Sequence, residues 1–135
     1  MNDEERLREI VLALDDLADL ASDHIILVEG LKDARALRAL GIEGTVFQIQ
    51  GVGPLKAAEH VAENGGKAVV LTDWDRKGGI LASELEEQLS ALGAGFDMTV
   101  RAKLSTLSKK YVKDVESLDS LVARLSSANA LDSLR

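Results

Sequence analysis

Two short runs of unbroken apolar residues, Ile25-Ile26-Leu27-Val28 and Ala68-Val69-Val70-Leu71, constrain this chain more than any other feature. Runs this short, with no polar residue alternating through them, suit strands covered on both faces, the setting of a parallel sheet between helices. Each run ends in acid: Glu29 follows the first, and Asp73 and Asp75 follow the second. If the second strand continues, its side chains alternate faces, so Asp73 and Asp75 point the same way at its carboxyl end.

The segments between and around these runs read as amphipathic helices. Leu7, Ile10, Val11, Leu14, Leu17, Ala18 and Ala21 recur at helical spacing and predict a packing helix over residues 3–21. A strand is predicted over 24–28, a helix over 31–40 closed by Gly41, a strand over 45–50, and a helix from Pro54 to 64. Beyond the central strand at 68–72, Ile80, Leu81, Leu85, Leu89 and Leu92 mark a further helix, and 96–101 reads as a fourth strand. A turn over 104–108 and a helix over 115–125 complete the pattern, with 126–135 expected to pack weakly or fray. The alternation predicts an α/β fold: one domain, a mostly parallel four-stranded sheet, helices on both faces and right-handed crossovers. In such sheets ligands gather beyond the carboxyl ends of the strands, where Glu29, Asp73 and Asp75 fall.

A chain of 135 residues can bury its own core without covalent staples. It contains no cysteine, which excludes disulfides, thiolate metal sites and thiol nucleophiles and suits a reducing compartment. The first residues lack the basic and apolar regions of a secretory signal, and no stretch approaches the roughly 18 apolar residues of a membrane span, so the expectation is a cytoplasmic protein without membrane attachment. A net charge of −7 argues against coating nucleic acid by overall attraction. One segment departs from that balance: Arg101, Lys103, Lys109, Lys110 and Lys113 fall in a stretch without acids, a local basic patch on an acidic body.

Val28-Glu29-Gly30 with Asp33, followed by Asp73-x-Asp75-x-x-Gly78, resembles the Toprim domain, shared by topoisomerases, bacterial-type primases, 5S ribosomal RNA maturation nucleases and overcoming-lysogenisation-defect nucleases. The chain length is most similar to the small stand-alone Toprim proteins of archaea and bacteria. The resemblance implies a Rossmann-like core over 22–102, with 1–21 a packing helix and 103–135 a helical extension of the same domain. It also implies Mg2+, or Mn2+ in its place, held by Asp73 and Asp75. Glu29 would serve as general acid or base, or share a second metal position with Asp33. The chemistry agrees with the residue types: phosphodiester transfer needs developing negative charge neutralised, and Mg2+ prefers carboxylate, water and phosphate oxygens.

Gly30 and Gly78 let substrate or metal approach the backbone closely. Arg76 and Lys77 lie where the following helix begins and are candidates for substrate phosphates, with Lys32 on the preceding helix and Arg35 and Arg38 beside it. Each position also has a plain structural role available. Asp75 suits a helix cap, Asp33 an early-helix acid, and Lys32, Arg35 and Arg38 a solvated face. Trp74, between the two acids, is expected to pack on the other side of the strand end. Asp114 and Glu116 receive no role.

The function favoured is a Mg2+-dependent nuclease acting on RNA or DNA. The alternative is a non-catalytic nucleic-acid-binding or adaptor module that works with a partner enzyme. Nucleotidyl transfer would need room for a template and an incoming nucleotide that so short a chain hardly provides.

Overall fold

The computed structural model describes residues 1–133, with side chains through 128. The elements are α1 (Asp3–Leu20), β1 (Ile25–Val28), α2 (Leu31–Ala39), β2 (Val46–Gln48), α3 (Pro54–Glu63), β3 (Lys67–Val70), α4 (Arg76–Ala91), β4 (Gly95–Asp97), α5 (Thr99–Ser108) and α6 (Leu118–Ser133). The four strands form one sheet in the order β2-β1-β3-β4, and every neighbouring pair is parallel. The two apolar runs are its central strands, paired Ile25 with Ala68 and Leu27 with Val70.

Alternation along the central strands divides the core in two. Ile26, Val28, Val69 and Leu71 face one layer, formed with Ile10 and Leu17 of α1, Leu37 of α2, Val100 and Leu104 of α5, and Leu118 and Leu121 of α6. Ile25, Leu27, Ala68 and Val70 face the other, against Ala57 and Val61 of α3 and Leu85 and Leu89 of α4. Side chains on both sides of β1 and β3 are thus withdrawn from water, which is why neither run alternates with polar residues. The short edge strands need no such cover on both faces, and Val46, Phe47 and Phe96 are only partly buried.

Three expectations are corrected. The fourth strand ends at Asp97, and Thr99–Ser108 is a helix where a strand tail and a turn were predicted. Asp97 starts that helix, its carboxylate accepting from the Thr99 hydroxyl at 2.6 Å and the Val100 N–H at 3.1 Å. The last helix begins at Leu118 rather than 115 and continues to Ser133, while the end of the segment expected to fray, 134–135, lies outside the described residues. Finally, Val11 and Ala18 on α1, and Ile80 and Leu92 at the two ends of α4, read as inward-facing, are exposed; on α1 Ala13 is buried instead. Among the described residues no helix is long and apolar enough to cross a membrane.

Candidate functional site

From β1 the chain crosses to β2 on one side of the sheet, then returns past β1 to β3 and β4 on the other. The crossing helices change layer at the same point, α2 lying with the first core layer and α3 and α4 with the second. The carboxyl ends of β1 and β3 therefore flank a reversal of strand order, the position at which open parallel sheets form a ligand crevice.

Acids occupy both of these ends. Glu29, half-buried just after β1, accepts the Asp73 N–H on Oε2 at 2.8 Å. Asp73 lies on the loop after β3, and its Oδ1 accepts the Val115 N–H at 3.0 Å. Asp33, only 6% exposed, accepts the Gly30 N–H on Oδ2 at 2.9 Å from the first turn of α2. Asp75 caps α4, its Oδ1 accepting the Gly78 N–H at 2.7 Å. In each case a backbone N–H fixes one carboxylate oxygen, which orients the group while leaving its charge in place.

Burial pushes the Asp73 carboxyl up to about 8, with the charges of Asp33 and Glu29 and a side-chain hydrogen bond to Glu29 adding to the rise, while the Val115 N–H opposes it. Burial also raises Asp33, helped by the charges of Glu29 and Glu116 and opposed by the bond from Gly30. Glu29, Asp33 and Asp73 are therefore the acids that crowd one another. Asp75 stands apart at the helix end and is exposed.

The cation facing this cluster is Arg101. From α5 its Nε donates to the Thr72 carbonyl at 2.9 Å and its Nη2 to the Asp73 carbonyl at 2.6 Å. Burial lowers its pKa, and the charges of Glu29, Asp73 and Asp75 oppose that shift. Read from sequence as one of five residues in a basic surface run, Arg101 is instead drawn inward to brace the acidic loop. Arg101→Leu should cost about 2–4 kcal/mol in denaturant unfolding by stranding two carbonyls beside uncompensated acids. Arg101→Lys should recover only part of this, because an ammonium lacks the guanidinium fork.

The loop 112–117 also closes over the acids. The Trp74 indole donates to the Val112 carbonyl at 2.9 Å, and the Trp74 N–H to the Lys113 carbonyl at 2.9 Å. Asp114 accepts the Ser117 N–H at 3.0 Å, and Glu116 lines the cleft beside Glu29 and Asp33. Trp74 packs, as expected, but on the first core layer, alongside Val69 and Leu71, so alternation does not extend past Thr72. Asp73 and Asp75 consequently do not share a strand face: β3 ends at Val70, Asp73 is on a loop and Asp75 caps a helix.

The cleft over Glu29 and Asp33 has a volume of about 520 Å³, with Gly30, Lys32, Arg35 and Lys77 among its lining residues. Arg76 lies outside it, in a neighbouring hollow with Ile80 and Glu84. Arg38 is turned to structural use, donating to the carbonyls of Ile42 at 2.9 Å and Gly44 at 2.7 Å. Gly78 is packed so tightly that an added Cβ would lie 1.9 Å from the Asp73 carbonyl oxygen.

These donors are all hard oxygens, the chemistry Mg2+ prefers. Among the described residues no three carboxylate or imidazole side chains form a ready ligand group. A cation that keeps much of its water would need only one or two of these carboxylates, and Asp73, whose backbone N–H donates to Glu29, would be central among them.

The chain is 35% identical over 123 residues to a UPF0292 protein of Methanosarcina acetivorans, spanning 91% of this chain and 84% of the relative. A UPF0292 protein of Methanosarcina barkeri is 37% identical over 90% of this chain and 83% of its own length. The chain belongs to the UPF0292 family. A further UPF0292 protein, from Methanocaldococcus jannaschii, is 32% identical and is matched over 96% of its length. A solved structure of a protein from Aquifex aeolicus superposes on this UPF0292 chain with a TM-score of 0.69 at 24% identity, covering 79% of this chain and 95% of its own, a likeness of fold. No family model matches the chain.

Proposed function

We propose that this UPF0292 protein is a Toprim-type, Mg2+-dependent nuclease that hydrolyses phosphodiester bonds in RNA or DNA. The observation that carries the reading is the meeting of Glu29, Asp33 and Asp73 where strand order reverses, with one oxygen of each carboxylate fixed by a backbone N–H.

Asp73 is the principal metal-holding residue in this reading, with Asp33 or Asp75 as a second carboxylate and Mn2+ as an alternative ion. Bound Mg2+ would supply Lewis acidity toward the phosphate and lower the pKa of water. Glu29, next to Asp73, takes the proton of the attacking water or returns one to the leaving oxygen. Lys32 and Lys77, both exposed on the cleft wall, hold substrate phosphates, and Gly30 keeps the floor low. Arg101 keeps the loop carrying Asp73 and Asp75 in place. Arg76 contributes to substrate binding at the periphery, and Gly78 lets the first turn of α4 rest on the Asp73 backbone. The cytoplasm is the proposed location, a setting in which a chain without cysteine loses nothing.

The test is a screen of purified protein on defined single-stranded and duplex RNA and DNA, with Mg2+ or Mn2+, beside Glu29→Gln. Cleavage that requires the ion and disappears in the variant is expected. A clean wild-type preparation that leaves every substrate intact would overturn the nuclease. The absence of a ready three-ligand group among the described residues favours a second reading, an adaptor that binds nucleic acid and delivers a partner enzyme. That reading gains if the protein binds nucleic acid unchanged and a partner copurifies.

A further inference from the structure

Tyr111 carries three cations at once. The Arg6 guanidinium lies 5.3 Å from the ring centre, the Lys110 ammonium 5.6 Å and the Arg124 guanidinium 5.1 Å. Energetically significant contacts of this kind occur about once in 70–80 residues, so three on a single ring is a concentration that packing alone does not require. The Tyr111 hydroxyl donates to Asp3 at 2.9 Å, and Asp3 is also the acid near Arg6, at 3.9 Å. Among the described residues Lys110 and Arg124 enter no ion pair, whereas Arg6 is held in place, its Nη1 donating to the Leu107 carbonyl at 2.6 Å. Positive charge is thus gathered from α1, α6 and the loop after α5, in a chain whose net charge is −7.

We propose that the exposed pair Lys110 and Arg124, set on the Tyr111 ring that Arg6 supports from within, forms a second phosphate-binding subsite, which holds a phosphodiester of the same nucleic-acid strand that enters the acidic cleft. Guanidinium groups match phosphate oxygens with paired N–H donors, and an anion between the cations offsets their mutual repulsion. The subsite adjoins the acids through the chain itself. Val112 and Lys113 accept hydrogen bonds from Trp74, and Val115 donates to Asp73. From Tyr111 to Val115 the backbone can extend at most about 14 Å, a few nucleotide links of an extended strand. Lys103, from the same basic run, is occupied by Asp16 at 3.2 Å and stays outside the subsite.

The ligand class rests on the nucleic-acid reading above, so the experiment omits metal and keeps cleavage out of the measurement. A fluorescein-labelled oligothymidylate is titrated in EDTA across a salt series against wild type, Lys110→Gln/Arg124→Gln, Lys110→Arg/Arg124→Lys and Lys103→Gln. The neutralised pair should bind roughly tenfold more weakly at low salt, with the slope of log K against log salt reduced by about 1.4. The charge-preserving pair and Lys103→Gln should stay within about twofold of wild type. Wild-type protein that does not bind, a neutralised pair with the wild-type slope, or an equal loss in Lys103→Gln would overturn the subsite. Binding that depends on Lys110 and Arg124 in a protein that cuts nothing would sink the nuclease and leave the subsite standing.

Discussion

Asp73→Asn should raise stability in metal-free buffer at pH 8 and, on the proposed nuclease function, abolish cleavage, two effects of opposite sign from one atom pair. In the folded chain Asp73 is pushed up to about 8 from its ordinary 3.8, first by burial and then by Asp33 and Glu29. The folded state therefore keeps a proton that the unfolded state releases at lower pH. Its contribution to stability is complete below about pH 4 and is lost as pH rises through about 8. A shift of this size would amount to about 6 kcal/mol unscreened, and partial exposure with relaxation should leave about 2 kcal/mol. Asparagine removes the ionisation, retains an oxygen for the Val115 N–H and offers Glu29 an N–H. The variant should thus melt roughly 5 °C above wild type at pH 8 and level with it near pH 4. Mg2+ should raise the wild-type midpoint and leave the variant unmoved. Trp74, the sole tryptophan and Asp73's neighbour, gives an independent signal through quenching of its fluorescence by Mn2+. A wild-type stability that is flat between pH 4 and 8 would contradict this account of the acid cluster.

Burial and charge explain which parts of this molecule were legible in its sequence. The strand segments Ile25–Val28 and Ala68–Val70 are plain because residues covered on both faces must be apolar, and among the described residues no other element has that pattern; Lys67, which opens β3, is exposed. Their acidic ends followed, since the residue leaving a buried strand is the first that can meet water or a ligand. Alternation could not be carried beyond Thr72, whose hydroxyl donates to the Gly78 carbonyl at 2.8 Å and turns the chain toward α4. The sequence puts Arg101 on a surface run for a related reason. Phe96 to Arg101 mixes apolar and polar residues as a strand does, but Asp97, three residues before Val100, was a helix-start signal that would have moved Arg101 onto α5. The closure of 112–117 over the acids left no local trace, because backbone groups of Val112, Lys113 and Val115 make those contacts and any residue type supplies such groups.

Gly78→Ala should be among the most destabilising single-methyl changes available in this chain. Gly78 is buried in the first turn of α4, and its backbone is committed at both ends: the N–H to Asp75, the carbonyl to the Thr72 hydroxyl. A Cβ there would sit 1.9 Å from the Asp73 oxygen and 2.5 Å from its carbonyl carbon, so backbone rather than a flexible side chain must move. Movement of Asp73 would break its bonds with Glu29, Val115 and Arg101 together. The expected loss is at least about 3 kcal/mol in denaturant unfolding, at the upper end of what overpacking costs. Gly79→Ala is the matched control: the same helix turn, the same added methyl, and open space within 4 Å. There alanine's better helix propensity should stabilise by up to about 1 kcal/mol. Opposite signs at adjacent glycines would locate the effect in the contact between α4 and the acidic loop, whereas equal destabilisation would assign it to the helix and remove Gly78 from the architecture of the site.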